Sequence, residues 1–338
     1  PAGPIGGIGH GRSARMIHLP VRLKAWVPGY RARWRRRYAA LLAALHEHAP
    51  RLDYGQEGET PWIKIKESGV QLFGFWTEPD NGEVYDLLRA DLPADLPKEH
   101  FRLVKDYLTR YVYPHMRPDL KPDGFVPAQM FGFHGQHKDA IADLEDAGAR
   151  AELVRAFRPR PDDVIVDCGV FLGFGEVRLS SELPQGHMYA IEADKDCYDL
   201  LVRNLACNKI GNVTALHRAV WKEEGEMDLE TGFAQANTLV REVYRGETTA
   251  RVRTIALDHV VQQFGLSKVD MLSLTLNGAE VEALQGARDI LTRFRPRIRL
   301  AGWYAREGRP IWQWTKADLE SYGYRVFVGP RGNVMALP

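Results

Sequence analysis

The chain of 338 residues carries 45 basic and 44 acidic side chains, and the net charge of +1 excludes a global electrostatic case for nucleic acid or an acidic partner. Three cysteines, Cys168, Cys197 and Cys207, form no CxxC pair, which excludes a disulfide framework or zinc ribbon and suits a reducing cytoplasm. No run of 18 apolar residues is present to span a bilayer and the first residues lack a signal-peptide plan, so a cytoplasmic protein is expected.

A chain that opens on Pro1 is expected to have been processed or trimmed, and its glycine-rich start, PAGPIGGIGHG, carries no fold information. The length suits one large domain plus an accessory region, taken as residues 1–145 and 146–338. Over residues 22–45, Arg31, Arg33, Arg35, Arg36 and Arg37 accompany Trp34, Tyr38, Leu41 and Leu45 at helical spacing. Such a basic amphipathic helix either docks on the domain with its arginines in water or meets a protein or an anionic membrane. Residues 61–87 predict a small antiparallel patch, with WIKIK and VQLFGFW alternating and EPDNGE supplying an Asn-Gly turn. A mostly helical stretch follows, broken at Pro93, Pro97, Pro114, Pro118 and Pro122.

From Asp146 the rhythm changes. The helix AGARAELVRAF leads into the strand VIVDCG, a short helix ending before Pro184, the strand HMYAIEAD, and a helix with Tyr198, Leu201 and Leu205 on one face. The strands VTALHRAVW, VDMLSLTL and RPRIRLAGW follow, with the helix GAEVEALQGARDIL after the second, and the end alternates KADLESYGY with RVFVGP and VMAL. This alternation predicts an α/β, Rossmann-like fold with a doubly wound, mostly parallel sheet and ligands at the carboxyl ends of its strands. Between Trp221 and Asp258, MDLET and ARVRTIAL add β structure around the loop FAQANTLVREVYRGE.

The strand VIVDCG opens into a loop spaced Gly169-x-x-x-Gly173-x-Gly175, unlike the G-x-G-x-x-G that seats a pyrophosphate on a helix N-terminus. Asp167 at the end of that strand repels phosphate and suits an ammonium or sulfonium group. Glu192 closes the next strand 19 residues after Gly173, where a carboxylate can accept ribose hydroxyls. A nucleoside that carries cations and no phosphates is S-adenosylmethionine (S-adenosyl-L-methionine). Each residue alone has a plain structural reading, as loop cap, solvated strand end or turn glycine; together they favour Asp167, Gly169, Gly173 and Glu192 as a cofactor site.

These residues resemble the FkbM family of S-adenosylmethionine-dependent methyltransferases over roughly residues 146–330. VIVDCGVFLGFG is similar to the family's D-x-G-A-x-x-G loop, with Val170 in place of alanine. MYAIEADKDCYDLLVRNL is similar to the segment whose acidic residue, matching Glu192, meets the ribose. AVWKEEGEMDLE, RTIALDHVVQQFGLSKVDML and NGAEVEALQGA follow in order. The resemblance implies a Rossmann-like methyltransferase fold and methylation of an oxygen on a small metabolite, sugar or lipid-linked glycan. One stretch departs from it: where the family reads K-I-D-V-E-G-A-E, this chain places Ser273, Thr275 and Asn277 at the three ionisable positions. Asn277 and Glu280 then read as an N-cap with its N3 partner, although Glu280 also matches the family and can face the site.

Methyl transfer needs alignment of the acceptor and, for a weakly acidic hydroxyl, a base. Glu280 and His217 are the candidate catalytic groups, with His259, His134 and His137 as further histidines in reach of the domain. Asp258 reads as the cap of its helix. No metal-ligand spacing occurs, so no metal is expected. Trp303, Tyr304, Trp312 and Trp314 either form an aromatic lid or pack on the sheet. The expected partner is a small-molecule or glycan acceptor. The alternative is a catalytically degenerate methyltransferase-fold protein, a pseudoenzyme serving as a binding or assembly subunit. Nucleic acid is not expected, since the net charge gives it no support and no Asn/Asp-Pro-Pro-aromatic string is present.

Overall fold

The computed structural model describes residues 38–76, 79–112, 146–232, 237–243, 248–329 and 332–338, with Gly29, Ala32, Arg35 and Gly246. The apolar spacing after Tyr38 produces helix α1 (Ala39–His48), and Tyr38, Leu41 and Leu45 on that face are fully buried. Of the five arginines in the basic stretch only Arg35 is described. It is exposed and its Nε lies 2.6 Å from Asp91 Oδ2. The other four lie outside the described residues.

The β patch begins earlier than the alternation predicts. Strands β1 (Leu52–Glu57), β2 (Thr60–Ile65) and β3 (Gln71–Phe73) form an antiparallel meander turning at left-handed Gly58 and Gly69. The EPDNGE stretch is no hairpin: Asn81 and Gly82 lie in helix α2 (Pro79–Leu88), with the Asn81 side chain accepting a hydrogen bond from Lys105 Nζ. Helix α3 (Phe101–Tyr107) continues into a π turn at Leu108–Val112. Its seven residues are all buried.

Asp146 caps helix α4 (Ala147–Ala156) by accepting from the amides of Gly148 and Ala149. Then come β4 (Val164–Cys168), α5 (Phe174–Ser180), β5 (His187–Glu192), α6 (Lys195–Cys207) and β6 (Val213–His217). Three strands, β7 (Ala219–Val220), β8 (Gly225–Thr231) and β9 (Thr248–Ile255), make the added sheet, in which β9 lies between the other two. The main sheet resumes with α7 (Leu257–Phe264), β10 (Met271–Leu274), α8 (Glu280–Gln285) and β11 (Arg297–Ala301). The small hairpin β12 (Ala305–Arg306) and β13 (Arg309–Pro310) precedes α9 (Ile311–Ser321), β14 (Arg325–Val328) and β15 (Asn333–Leu337).

The main sheet has seven strands in the order β14-β15-β11-β10-β4-β5-β6, with β15 alone antiparallel to its neighbours. The doubly wound, mostly parallel reading therefore holds. The chain winds outward from β4 to β6 and returns on the other side of β4 as β10, so the crevice between the ends of β4 and β10 is the topological switch point. Helices cover both faces, which is why Ile165, Val166, Cys168, Leu272 and Leu274 are all buried without alternation. At the opposite end, Arg297 Nη2 meets Asp163 Oδ2 at 2.6 Å, both buried, while its Nη1 donates to the Ala156 carbonyl and fastens α4 beneath the sheet.

The meander docks on α6 through paired side-chain amides. Asn204, with no exposed surface, accepts from Phe73 N at 2.7 Å and donates to the carbonyls of Phe73 and Leu172. Asn208 treats Gln71 in the same way, so the edge of β3 is satisfied by α6 rather than by a further strand. One apolar core accordingly joins Leu41, Leu72 and Phe101 to Leu172, Phe174 and Leu201. Among the described residues no helix is long and apolar enough to cross a membrane.

Candidate active site

After β4 the chain must turn between two neighbouring strand ends. Gly169 takes the left-handed conformation (φ +79°), its amide donates to the Ile191 carbonyl of β5, and a Cβ there would fall 2.0 Å from the Thr275 carbonyl oxygen beyond β10. Only glycine fits. Gly173 (φ +73°) starts α5 with a Cβ position 2.3 Å from Leu201 Cδ1. Between them Phe171 is left-handed despite its side chain (φ +59°), and three contacts hold it. Its amide donates to Glu192 Oε2 at 2.8 Å, its ring packs on Phe75, and the Arg110 guanidinium lies over that ring at 4.6 Å.

Glu192 is buried at the end of β5. Its Oε1 accepts from the amides of Ala193 and Asp194, both at 2.9 Å. With the Phe171 amide, three of roughly four acceptor positions on the carboxylate are occupied by backbone, leaving one to face a ligand hydroxyl. Burial pushes its carboxyl up to about 7, against the pull of those amides. Asp194 caps α6 through Cys197 N and accepts from Asn237 Nδ2 at 2.9 Å, tying the β8–β9 connection to the end of β5.

Asp167, partly exposed at the end of β4, is not among the residues that line the cleft. The strand register sets Asp167, Ser273 and Arg299 side by side on β4, β10 and β11, and Arg299 Nη1 donates to Ser273 Oγ at 3.0 Å. Burial raises the Asp167 carboxyl, opposed by Arg299 and by hydrogen bonds from Ser273 and Glu176. Buried Glu176 on α5 is raised well above its ordinary range by burial and by the Asp167 charge beside it.

A cleft of about 610 Å³, counting its open mouth, lies over the switch point. Gly169 and Phe171 form one wall, Glu192 and Ala193 the next, Thr275 and Asn277 the opposite one, and Asn237 and Thr238 of the β8–β9 connection close the side. Arg110 and Arg218 also line it. Of the four expected cofactor residues, Gly169 and Glu192 are therefore in the lining, while Gly173 and Asp167 support it from behind.

The expected catalytic groups are placed otherwise. Glu280 is fully buried, and its two oxygens accept from Leu276 N (2.8 Å) and Gly278 N (2.9 Å). The predicted N-x-x-E cap is not formed: the helix begins after Ala279, Asn277 is left-handed (φ +52°), and Glu280 is the first helical residue. Asn277 instead accepts from Tyr304 Oη at 2.7 Å and donates to the Asn237 carbonyl at 2.9 Å. His217 bonds the Ala193 carbonyl through Nε2 (3.0 Å), stacks on Tyr198, and is not in the lining. His259 lies 3.3 Å from Glu224 at the surface. Asp258 does not cap its own helix; its carboxylate accepts from Asp289 N and Ile290 N across the neighbouring turn. His134 and His137 lie outside the described residues. The aromatic cluster divides: Tyr304 braces Asn277, Trp312 packs on the sheet core, and Trp314 is exposed.

Burial also raises Glu280, to about 7 against an ordinary 4.5. A carboxyl that binds its proton more tightly folded than unfolded contributes stability that is fully present below about pH 4.5 and lost as pH rises through about 7. Glu280→Gln, which removes that titration, is expected to flatten the pH dependence of urea unfolding between about pH 5 and 8. An unaltered pH profile would contradict this placement of the charge.

Residues 167–326 match the family described as the methyltransferase FkbM domain. The chain carries a methyltransferase FkbM domain. A curated relative, methyltransferase sdnD of Sordaria araneosa, is 29% identical over a stretch that covers 36% of this chain and 59% of that protein. Among solved structures, methyltransferase FkbM from Methylobacillus flagellatus KT has a TM-score of 0.42 at 12% identity, covering 59% of this chain and 57% of its own. Precorrin-6y C5,15-methyltransferase from Geobacter metallireducens GS-15 has a TM-score of 0.35 at 16% identity, covering 58% and 92%. Scores of this size add nothing to the strand order already described.

Against the FkbM pattern the three substituted positions have distinct fates. At Ser273 the missing lysine is offset from the next strand, because Arg299 reaches Ser273 and sets a cation beside Asp167. Thr275 and Asn277 stay in the cleft lining as neutral groups, and Asn277 becomes the hub joining Tyr304, Asn237 and the Thr238 hydroxyl. Sequence reasoning missed Arg110, Asn237 and Thr238. The two β8–β9 residues lay in a segment recognised only as a loop, and Arg110 in a helical region without a motif.

Proposed function

We propose that the chain is an S-adenosylmethionine-dependent methyltransferase that methylates an oxygen of a small-molecule, sugar or lipid-linked glycan acceptor. The observation that carries this reading is the cleft at the switch point, where Glu192 and the Gly169 turn stand on consecutive strand ends within a segment matching the FkbM domain. The residues present fit the cofactor: Glu192 keeps one acceptor position for a ribose hydroxyl, and the bare Gly169 turn lets the chain pass close beside it. When bound, S-adenosylmethionine supplies a methyl group on a positively charged sulfur, open to in-line displacement.

The protein's own part is to fix the acceptor on that line. Thr275 and the mutually bonded Asn277, Asn237 and Thr238 make one side of the cleft a neutral polar wall, suited to a hydroxylated acceptor. Glu280 serves by holding the amides of Leu276 and Gly278, so that this wall keeps its shape. The alternative of a binding or assembly subunit gains no support from the family match. Incubation with methyl-labelled S-adenosylmethionine and a small-molecule or glycolipid extract, followed by fragmentation of the labelled product, tests the acceptor class. Label on an ether or ester oxygen is expected; label on nitrogen, carbon or nucleic acid contradicts it.

A further inference from the structure

The cofactor reading leaves one half of a zwitterion without a partner. An amino-acid end carries an ammonium and a carboxylate, so its site needs a carboxylate or carbonyl oxygens for the first and a cation for the second. The partly exposed Asp167 carboxyl stands at the end of β4, behind the glycine turn. Among the described residues lining the cleft, two are cations, Arg110 and Arg218. Arg218 Nη1 is engaged with the His217 carbonyl at 2.7 Å, at the β6 end of the site. Arg110 is at the other end, beside the glycine loop.

The position of Arg110 is fixed by its own segment. It belongs to the π turn Leu108–Val112 that continues the fully buried helix α3, where Tyr107 and Tyr111 stack at 5.5 Å. Its carbonyl oxygen lies 3.8 Å from where a Cβ on Gly175 would stand, so the turn rests against the start of α5. The guanidinium carbon lies 4.6 Å from the centre of the Phe171 ring, so the cation stands beside the glycine loop, and Arg110 is in the cleft lining. Asp167 and Glu176 both lie in its electrostatic field. An anion and a cation thus flank the same glycine turn, one from β4 and one from outside the methyltransferase domain.

We propose that Arg110 binds the carboxylate of the cofactor's amino-acid end, so that the region before the methyltransferase domain completes that domain's ligand site. This rests on the cofactor reading above. It gives the accessory region a chemical role and explains why its core is continuous with the glycine loop.

The test compares two ligands that share the adenosine and sulfur and differ in the amino acid. Calorimetric titration of the full chain with S-adenosylhomocysteine and with 5′-methylthioadenosine is done for the wild type, Arg110→Gln and Arg110→Lys. Loss of a charge-assisted pair in Arg110→Gln is expected to weaken S-adenosylhomocysteine at least about tenfold, with Arg110→Lys between it and the wild type. Methylthioadenosine, which has no carboxylate, is expected to bind both variants within about twofold of the wild type. Unchanged homocysteine-ligand affinity overturns the assignment, and so does an equal loss for both ligands, which marks a structural role. A wild type that binds neither ligand overturns the cofactor reading itself, and the Arg110 assignment with it.

Discussion

Gly169→Ala is expected to destabilise the protein by at least about 4 kcal/mol and to abolish ligand binding in whatever fraction remains folded. Two costs combine. A side chain in the left-handed region is worth about 1–2 kcal/mol of strain. The larger part is the new methyl group, which would sit 2.0 Å from the Thr275 carbonyl oxygen, a backbone atom that cannot rotate aside. Relief requires the ends of β4 and β10 to separate, and these are the walls of the cleft. Gly173→Ala is the informative comparison, because its nearest neighbour is the flexible Leu201 Cδ1 and part of the overlap can be relieved by a rotamer change. Urea unfolding of both variants checks this. A cost below about 1 kcal/mol for Gly169→Ala would contradict the described turn.

Glu192→Ala carries the second large effect, on affinity. The carboxylate fixes the glycine loop through Phe171 N and the start of the next loop through Ala193 N and Asp194 N. Its removal takes away the proposed ribose acceptor and also the restraint on left-handed Phe171. Hydrogen bonds to a charged group are worth about 1.5–3 kcal/mol each, so S-adenosylhomocysteine binding is expected to weaken by about a hundredfold or more. Glu192→Gln retains one carbonyl oxygen and is expected to fall between the two, because its amide nitrogen cannot accept from the remaining amides. Calorimetry on variants whose melting shows them folded decides the matter. Affinity equal to the wild type in Glu192→Ala would remove Glu192 from the site.

The sequence was most legible where local patterns and final contacts agree. From Asp146 on, each strand of the main sheet is a short apolar run between turn residues, and all seven formed; the reversal of β15 is set by pairing with β11 and β14 and has no local signature. The strand LDYGQE went unread because Gly55 and two acidic residues disguise its alternation, and Gly55 is there to admit the Trp62 ring, whose atoms come within 2.2 Å of a Cβ position. The Asn-Gly of EPDNGE suggested a hairpin, yet tertiary packing placed it in a helix. At the site, Gly169 and Glu192 stand in the cleft lining because strand order fixes where the ends of β4 and β5 lie. Asn277 and Glu280 were misjudged as a cap because the partners that decide their geometry, Tyr304 and Asn237, come from other loops. Arg110 had no signal in the sequence at all, since its meaning arises from docking across the shared core.

The central claim is that the cleft at the β4–β10 switch point holds a methyl donor. Calorimetric titration of the full chain with S-adenosylmethionine, and separately with S-adenosylhomocysteine, tests it most directly. Saturable binding of both in the micromolar range is the expected result, about −8 kcal/mol at 1 μM. Absence of binding of either at millimolar concentration would contradict it and leave the glycine turn as architecture without a ligand.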